Sequence, residues 1–479
     1  METARRIYRN TLYLGIAEVV SRILQFVVML YAARQLTQEE FGAFNFALAL
    51  AFVAMILADM GVNLLLVRTA ARDKALLEKF VTNGLWLKLL FSAATFLGLW
   101  LLLLVLGYRG QTLEAALVML LFAILSTFTD FMYSIFRAFE RMEFDSFLKI
   151  MRMTLLVVFS LAVLAKGLGV VTFSLMFVVV ECIVALAGFI IVSKKFITRR
   201  LRLSWLDSSY RKRIASDAFP FGLSAMFGSL YFYASILILS AMNGELEVAQ
   251  FSSAYNIALA LLFIPTVYTN ALYPVLSRMF IGSKKTLSLM YGKSMKYLLM
   301  VSLPIAVFLL LLPKEIMGVL YGGKYDAAIV VLQVIAAYIV LKFINFLLGI
   351  ILSSADKQWE RMKAQGIVAG VNLLSCIALI WQWGFIGAAW ATLLTEIALF
   401  GLYIFQAGKV VSSSNLAENL LKPVGAAVVL VLCTLLLPFH HFISAAIGGF
   451  FYVVALFVLR AFDEKDREIV RGIFANDKL

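Results

Sequence analysis

Val170 to Val192 reads VVTFSLMFVVVECIVALAGFIIV, 23 residues in which Glu181 is the only formal charge. Wound as a helix at 1.5 Å per residue, such a run is about 34 Å long and crosses a hydrocarbon layer of ~30 Å. Barrel strands would be about half that length and would alternate apolar with polar residues. Similar runs recur along all 479 residues, with starts near Thr11, Gly42, Thr82, Ala115, Lys149, Val170, Asp217, Phe251, Met295, Ala328, Gly366, Ile386, Leu421 and Phe442. The expected fold is an all-α membrane protein of about 14 transmembrane helices, a class that fits 63% hydrophobic and only 15% charged residues.

A net charge of +14 raises the question of a nucleic-acid partner, and the placement of the basic residues answers it. With a cytoplasmic N-terminus, about 34 of the 42 Lys and Arg fall in tails and inward loops. The expectation is therefore a cytoplasmic (inner) membrane protein with both termini cytoplasmic and no nucleic-acid partner. The largest basic cluster, Lys194, Lys195, Arg199, Arg200, Arg202, Arg211, Lys212 and Arg213, reads as a topology anchor on anionic lipid headgroups. Arg5, Arg6 and Arg9 precede an apolar segment that carries Glu18 and Arg22 in its middle, so it reads as an uncleaved first span. Cys182, Cys376 and Cys433 lie far apart in apolar spans and are expected to be buried free thiols. No metal or cofactor is expected.

FNFALAL at Phe44 to Leu50 returns as YNIALAL at Tyr255 to Leu261, offset by 211 residues, and at that offset Asp59 falls on Asn270. Asn45 and Asn256 each lie fourteen residues before those partners, a spacing that returns a helix to nearly the same face. The expected organisation is two parallel-repeat six-helix lobes around a central cavity: residues 1–210 (spans 1–6), 211–408 (spans 7–12), and 409–479 for two added spans and a cytoplasmic tail. The first 219 residues contain no proline, whereas Pro220, Pro265, Pro274, Pro304 and Pro313 follow, which predicts kinks concentrated in the second lobe.

Ionisable residues inside spans are functional candidates, because a charge in the hydrocarbon centre costs a few kcal/mol. Glu18, Arg22 and Gln25 share one helix face, as a self-neutralising pair, a cavity lining, or both. Asp59 and Asn63 share another face near the end of the second span, where Asp59 reads as a hydrated helix-end carboxylate or an ion-coupling site. Lys342, one turn from Asn345, sits too deep for easy snorkelling and is a candidate anion ligand. Lys88, nearer an edge, is expected to snorkel. Asp130, Tyr133 and Arg137 suggest a local ion pair. Glu181 and Glu396 have no local basic partner and are candidate ion-coupling carboxylates, along with Glu18 and Asp59. Tyr231, Tyr233, Tyr255, Tyr268 and Tyr273 are packing residues or sugar-facing rings. The candidate substrate-binding set is Arg22, Lys342, Gln25, Asn345, Tyr233, Asn256 and Asn270.

The run SRILQFVVMLYAARQLTQEEFGAFNFALAL from Ser21, followed by ADMGVNLLLVR at Ala58 to Arg68, resembles the opening of polysaccharide-export flippases of the Wzx type. Their superfamily also holds multidrug and toxin extrusion antiporters and lipid II flippases. FSSAYNIA at Phe251, ALYPVLSRMF at Ala271, VLYGGKYDAAIVVLQV at Val319 and WGFIGAAWATLLTE at Trp383 extend the likeness over nearly the whole chain. The resemblance implies a flippase that moves a polyprenyl-pyrophosphate-linked oligosaccharide from the inner to the outer leaflet by alternating access. It implies as partners lipid-linked oligosaccharide and membrane lipids, with polysaccharide polymerase machinery a further candidate. The alternatives are a cation-coupled multidrug or small-molecule antiporter, and a membrane-embedded polysaccharide polymerase or glycosyltransferase. The short outward loops disfavour the last, and no nucleotide-binding loop or Ser/His/Asp constellation stands out.

Overall fold

The computed structural model describes residues 2–196, 205–411, 416–437 and 440–462. Arg199, Arg200, Arg202 and the expected cytoplasmic tail from residue 463 lie outside them. The described residues form sixteen α-helices: α1 (Glu2–Gln35), α2 (Gln38–Asp59), α3 (Val62–Arg72), α4 (Leu77–Val105), α5 (Gly110–Ala138), α6 (Met142–Ala165), α7 (Gly169–Lys195), α8 (Ser208–Asn243), α9 (Glu245–Leu261), α10 (Phe263–Gly282), α11 (Lys284–Leu311), α12 (Pro313–Tyr321), α13 (Ile329–Ser354), α14 (Gln358–Ala407), α15 (Leu416–Leu436) and α16 (His441–Val458). Among them eleven helical segments are long and apolar enough to cross a membrane, or twelve when the bent α8 is taken as one span. The protein is thus a multi-pass, all-helical membrane protein among its described residues.

Two compact units divide the chain by packing. One comprises residues 1–263 and 365–391, the other residues 264–364 and 392–479. This is a different partition from the one the sequence repeat draws.

In the first unit α2 starts on a capping box, in which Thr37 Oγ1 accepts from Glu40 N while Glu40 Oε2 accepts from Thr37 N. Its other end stops where Met60 and Gly61 turn left-handed (φ 42° and 85°). Glu40 does a second task, since its Oε1 accepts from Val170 N at the start of α7 (3.3 Å). Glu247, third residue of α9 as Glu40 is of α2, does the same for Phe385 N (2.7 Å), just past Gly384 at φ 54°. The repeat asparagines also meet, with Asn256 Nδ2 donating to Asn45 Oδ1 at 3.1 Å.

Helix breaks fall where backbone geometry demands them, and proline marks only some. α14 is interrupted at Gly384, and α8 bends by 57° between Ser229 and Tyr231, well past Pro220. α9 and α10 part at Leu262, close to Pro265. Cys182 is exposed, contrary to expectation, because it sits on the outward-turned side of α7; Cys376 is buried and Cys433 half-buried.

In the second unit α15 and α16 pack on α11. Tyr452 donates its hydroxyl to Met300 O (2.8 Å), and Lys296 donates to Ala461 O (2.7 Å) just past the end of α16. The lysine thereby places a positive charge where that helix's carbonyl dipoles converge.

Candidate functional site

Several helices of the first unit enclose a cavity of about 250 Å³. α1 contributes Glu18, Ser21, Arg22 and Gln25, the face that helical spacing assigned; α6 contributes Lys149 and Arg152, α7 Glu181, and α8 Tyr233. Phe52, Phe122 and Phe177 join aliphatic side chains in the rest of the wall. Three cations against two carboxylates leave this lining with one net positive charge.

Each cation is held by a carboxylate. Arg22 Nε lies 2.9 Å from Glu18 Oε1, Arg152 Nε 3.1 Å from Glu181 Oε2, and Lys149 Nζ 2.9 Å from Asp145 Oδ1. Asp145 lies outside the lining and is shared with Arg137 (2.7 Å), so Arg137 pairs with Asp145 and the expected Asp130–Arg137 pair does not form the contact. The side chain of Arg22 is nearly half exposed, whereas Glu181 is fully buried. Lys149 and Arg152 escape a sequence reading because the apolar run begins near Lys149, while α6 itself begins two turns earlier, at Met142. Their i, i+3 spacing was the available signal.

A second cavity of about 380 Å³ in the same unit shares Phe52 and Tyr233 with the first and adds Asp59, Asn63, Thr127, Asp130 and Ser229. Lys88 stands behind Asp59. Its Nζ donates to Asp59 Oδ1 (2.7 Å) and Asn63 Oδ1 (3.2 Å), and its side chain has no exposed surface. The snorkelling reading is therefore corrected: a carboxylate on the neighbouring helix satisfies the ammonium in place. Asp59, the last residue of α2, is in turn a mostly buried ion-pair partner at that helix end.

In the second unit Lys342, Asn345 and Glu396 form one buried cluster. Lys342 Nζ donates to Glu396 Oε1 (2.6 Å) and Asn345 Nδ2 to Glu396 Oε2 (2.7 Å). A group expected to bind anion and a group expected to couple ions are thus each other's partners. Asn256 pairs with Asn45 in the first unit, and Asn270 is exposed on α10 of the second. Of the candidate tyrosines Tyr233 lines both cavities; Tyr255 is buried against Phe251, Tyr273 is exposed, and Tyr231 and Tyr268 are half-buried.

Residues 7–280 match the model of a family described as polysaccharide biosynthesis protein. The chain belongs to this polysaccharide biosynthesis family. It is similar to a putative O-antigen transporter of Escherichia coli K12, at 24% identity over 83% of this chain and 95% of the relative. It is also similar to a probable low-salt glycan biosynthesis flippase, Agl15, of Haloferax volcanii, at 22% over 81% and 80%. Among solved structures, lipid II flippase MurJ in an inward closed conformation superposes with TM-score 0.78 at 14% identity, covering 96% of this chain and 99% of that one. An inward-facing multidrug resistance transporter of the MATE family superposes at 0.64 and 16% identity, over 83% and 98%. The polysaccharide biosynthesis family member described here therefore has the fold shared by those two transporter classes.

Proposed function

We propose that this protein is a flippase, not an enzyme, that carries a polyprenyl-diphosphate-linked oligosaccharide from the inner to the outer leaflet of the cytoplasmic membrane, its cavity opening in turn to each side. The observation that carries this reading is the first cavity, where Arg22, Lys149 and Arg152 converge beside Gln25 and Tyr233. A sugar hydroxyl dragged through lipid without a partner costs ~2–7 kcal/mol, so a polar headgroup needs such a lining. A diphosphate needs more than one cation, and guanidinium and ammonium groups paired with carboxylates can exchange a carboxylate for a phosphate oxygen. The names of the relatives support the same substrate class. With the cell interior negative, outward movement of anionic charge is favoured by ~2.3 kcal/mol per charge per 100 mV.

The expected ligand role of Lys342 and Asn345 requires Glu396 to release them first. We place the primary anion site on the first unit's cations for that reason, and regard Asp59 with Lys88, and Glu396 with Lys342, as the pairs through which ion coupling would act.

Fourteen spans follow when α14 is counted as two at Gly384, α8 as one bent span and α15 as one, added to the ten remaining long helices. Parallel lobes of residues 1–210 and 211–408 with an added 409–479 are supported by the paired caps of Glu40 and Glu247 and by the Asn45–Asn256 contact. Both termini are placed in the cytoplasm by the distribution of Lys and Arg. Impermeant-reagent labelling of single cysteines should reach Gly244→Cys and spare Ser208→Cys in intact cells; the reverse pattern would invert the topology.

The functional test is flipping of a fluorescent lipid-diphosphate sugar in proteoliposomes. Arg22→Ala and Lys149→Ala should each slow it about tenfold at normal abundance, the loss of one charge-assisted contact. A double variant that flips at the wild-type rate would overturn the reading.

A further inference from the structure

Glu181 is the most enclosed charge lining the cationic cavity. Its side chain has no exposed surface, and neither carboxylate oxygen receives an aligned hydrogen bond, although Arg152 Nε lies 3.1 Å from Oε2. The guanidinium thus supplies charge without filling the acceptor directions of the carboxylate. An ionised carboxylate offers about four lone-pair sites, and buried acceptors are ordinarily satisfied. This one faces a cavity.

The surrounding wall carries four aromatic rings among aliphatic side chains. Phe52 and Tyr233 stack at 5.0 Å between centroids and line the cavity, and the Arg152 guanidinium lies over Phe122 at 5.5 Å, itself edge-on to Phe177. A ligand that completes this arrangement needs O–H donors for a carboxylate and an apolar face for a ring, joined in one rigid body. Phosphate supplies neither: it is an acceptor, and Glu181 repels it. A monovalent cation would satisfy the oxygens but has no use for the stacked pair that lines the same cavity.

We propose that Glu181, Arg152 and the Phe52–Tyr233 pair form a saccharide subsite, where a pyranose donates neighbouring hydroxyls to Glu181 and lays its C–H face on the rings. Arg22 and Lys149, on α1 and α6, then hold the diphosphate, and Arg152 bridges the two parts by holding Glu181 in orientation. Only this division of labour with the diphosphate rests on the transport reading; the sugar contact follows from the cavity itself. The consequence is selectivity for the lipid-proximal sugar, since a hydroxyl missing opposite a buried carboxylate leaves that group unpaired.

The test uses the full chain in nanodiscs and three sets of probes: farnesyl diphosphate, its conjugates with glucose, galactose, N-acetylglucosamine and N-acetylgalactosamine, and the methyl glycosides of those sugars. At least one conjugate should bind about tenfold more tightly than farnesyl diphosphate. Glu181→Gln should erase that increment without weakening farnesyl diphosphate, and Phe52→Leu, which alters no charge, should reduce it severalfold. No gain for any conjugate, or a gain intact in both variants, would overturn the proposal. So would a sodium-dependent thermal shift of the bare protein that Glu181→Gln removes, which would mark a cation site. Binding of a methyl glycoside that needs Glu181, with no binding of farnesyl diphosphate, would sink the diphosphate reading and leave the sugar subsite standing.

Discussion

Removing one member of the Lys342–Glu396 pair should cost far more than removing both. The two side chains are 4% and 0% exposed, and Nζ lies 2.6 Å from Oε1. At ~3 Å and an effective dielectric of ~20 their attraction is about 5–6 kcal/mol, most of it offset by the loss of solvation. Glu396→Leu takes the carboxylate away from a buried ammonium, at ~3–5 kcal/mol, and costs Asn345 Nδ2 one of its two acceptors, at about 1 kcal/mol more, the Glu396 backbone carbonyl remaining. Lys342→Met should cost somewhat less, because the remaining carboxylate keeps Asn345 Nδ2 as a donor. The double variant Lys342→Met, Glu396→Leu has no buried charge and leaves Asn345 Nδ2 the backbone carbonyl of residue 396 as acceptor, so it should lie within about 2 kcal/mol of the parent. Unfolding of the purified protein in detergent, taken round the full double-mutant cycle, should return a coupling of at least about 3 kcal/mol. Additive single effects would refute the reasoning. The same double variant bears on transport: stable and active, it confines Lys342 to the fold, whereas stable and inactive it restores the role expected from sequence.

Gly42→Ala should destabilise by at least ~1–3 kcal/mol or prevent folding, because a Cβ there would lie 1.8 Å from the Glu245 carbonyl oxygen, where α2 meets the start of α9; wild-type melting would refute the close approach. Glu247→Ala should cost about 1 kcal/mol as Phe385 N loses its acceptor, read as a lowered melting temperature, while an unchanged value would show the cap to be idle. Asp207 precedes α8, and Ser209, the Tyr210 amide and Lys79 hold its carboxyl well below the usual carboxylate range. A depressed folded-state value stabilises above the unfolded one, so the melting-temperature gap between wild type and Asp207→Asn should persist from pH 7 to about 5 and close as the pH falls below about 4. A gap that widened in acid would reverse the sign.

The membrane class, most of the helix positions and the polar face of α1 were legible in the sequence. They depend on two one-dimensional quantities: the length of an apolar run and the periodicity of a helix. Glu18, Arg22 and Gln25 share a cavity because they share a face, and no tertiary information is needed for that. Which charges meet was decided elsewhere. Lys88 finds Asp59 from 29 residues away, Lys342 finds Glu396 from 54, and Glu181 finds Arg152 on the preceding helix. Each pairing depends on how a helix is rotated about its own axis against a neighbour, and hydropathy is indifferent to that rotation. The caps of Glu40 and Glu247 were hidden for a related reason: they stand 207 residues apart while the asparagine repeat is offset by 211, so insertions shift the register that only packing restores. Burial then fixes the chemistry, because a charge withdrawn from water must take whatever partner the fold brings within hydrogen-bond reach.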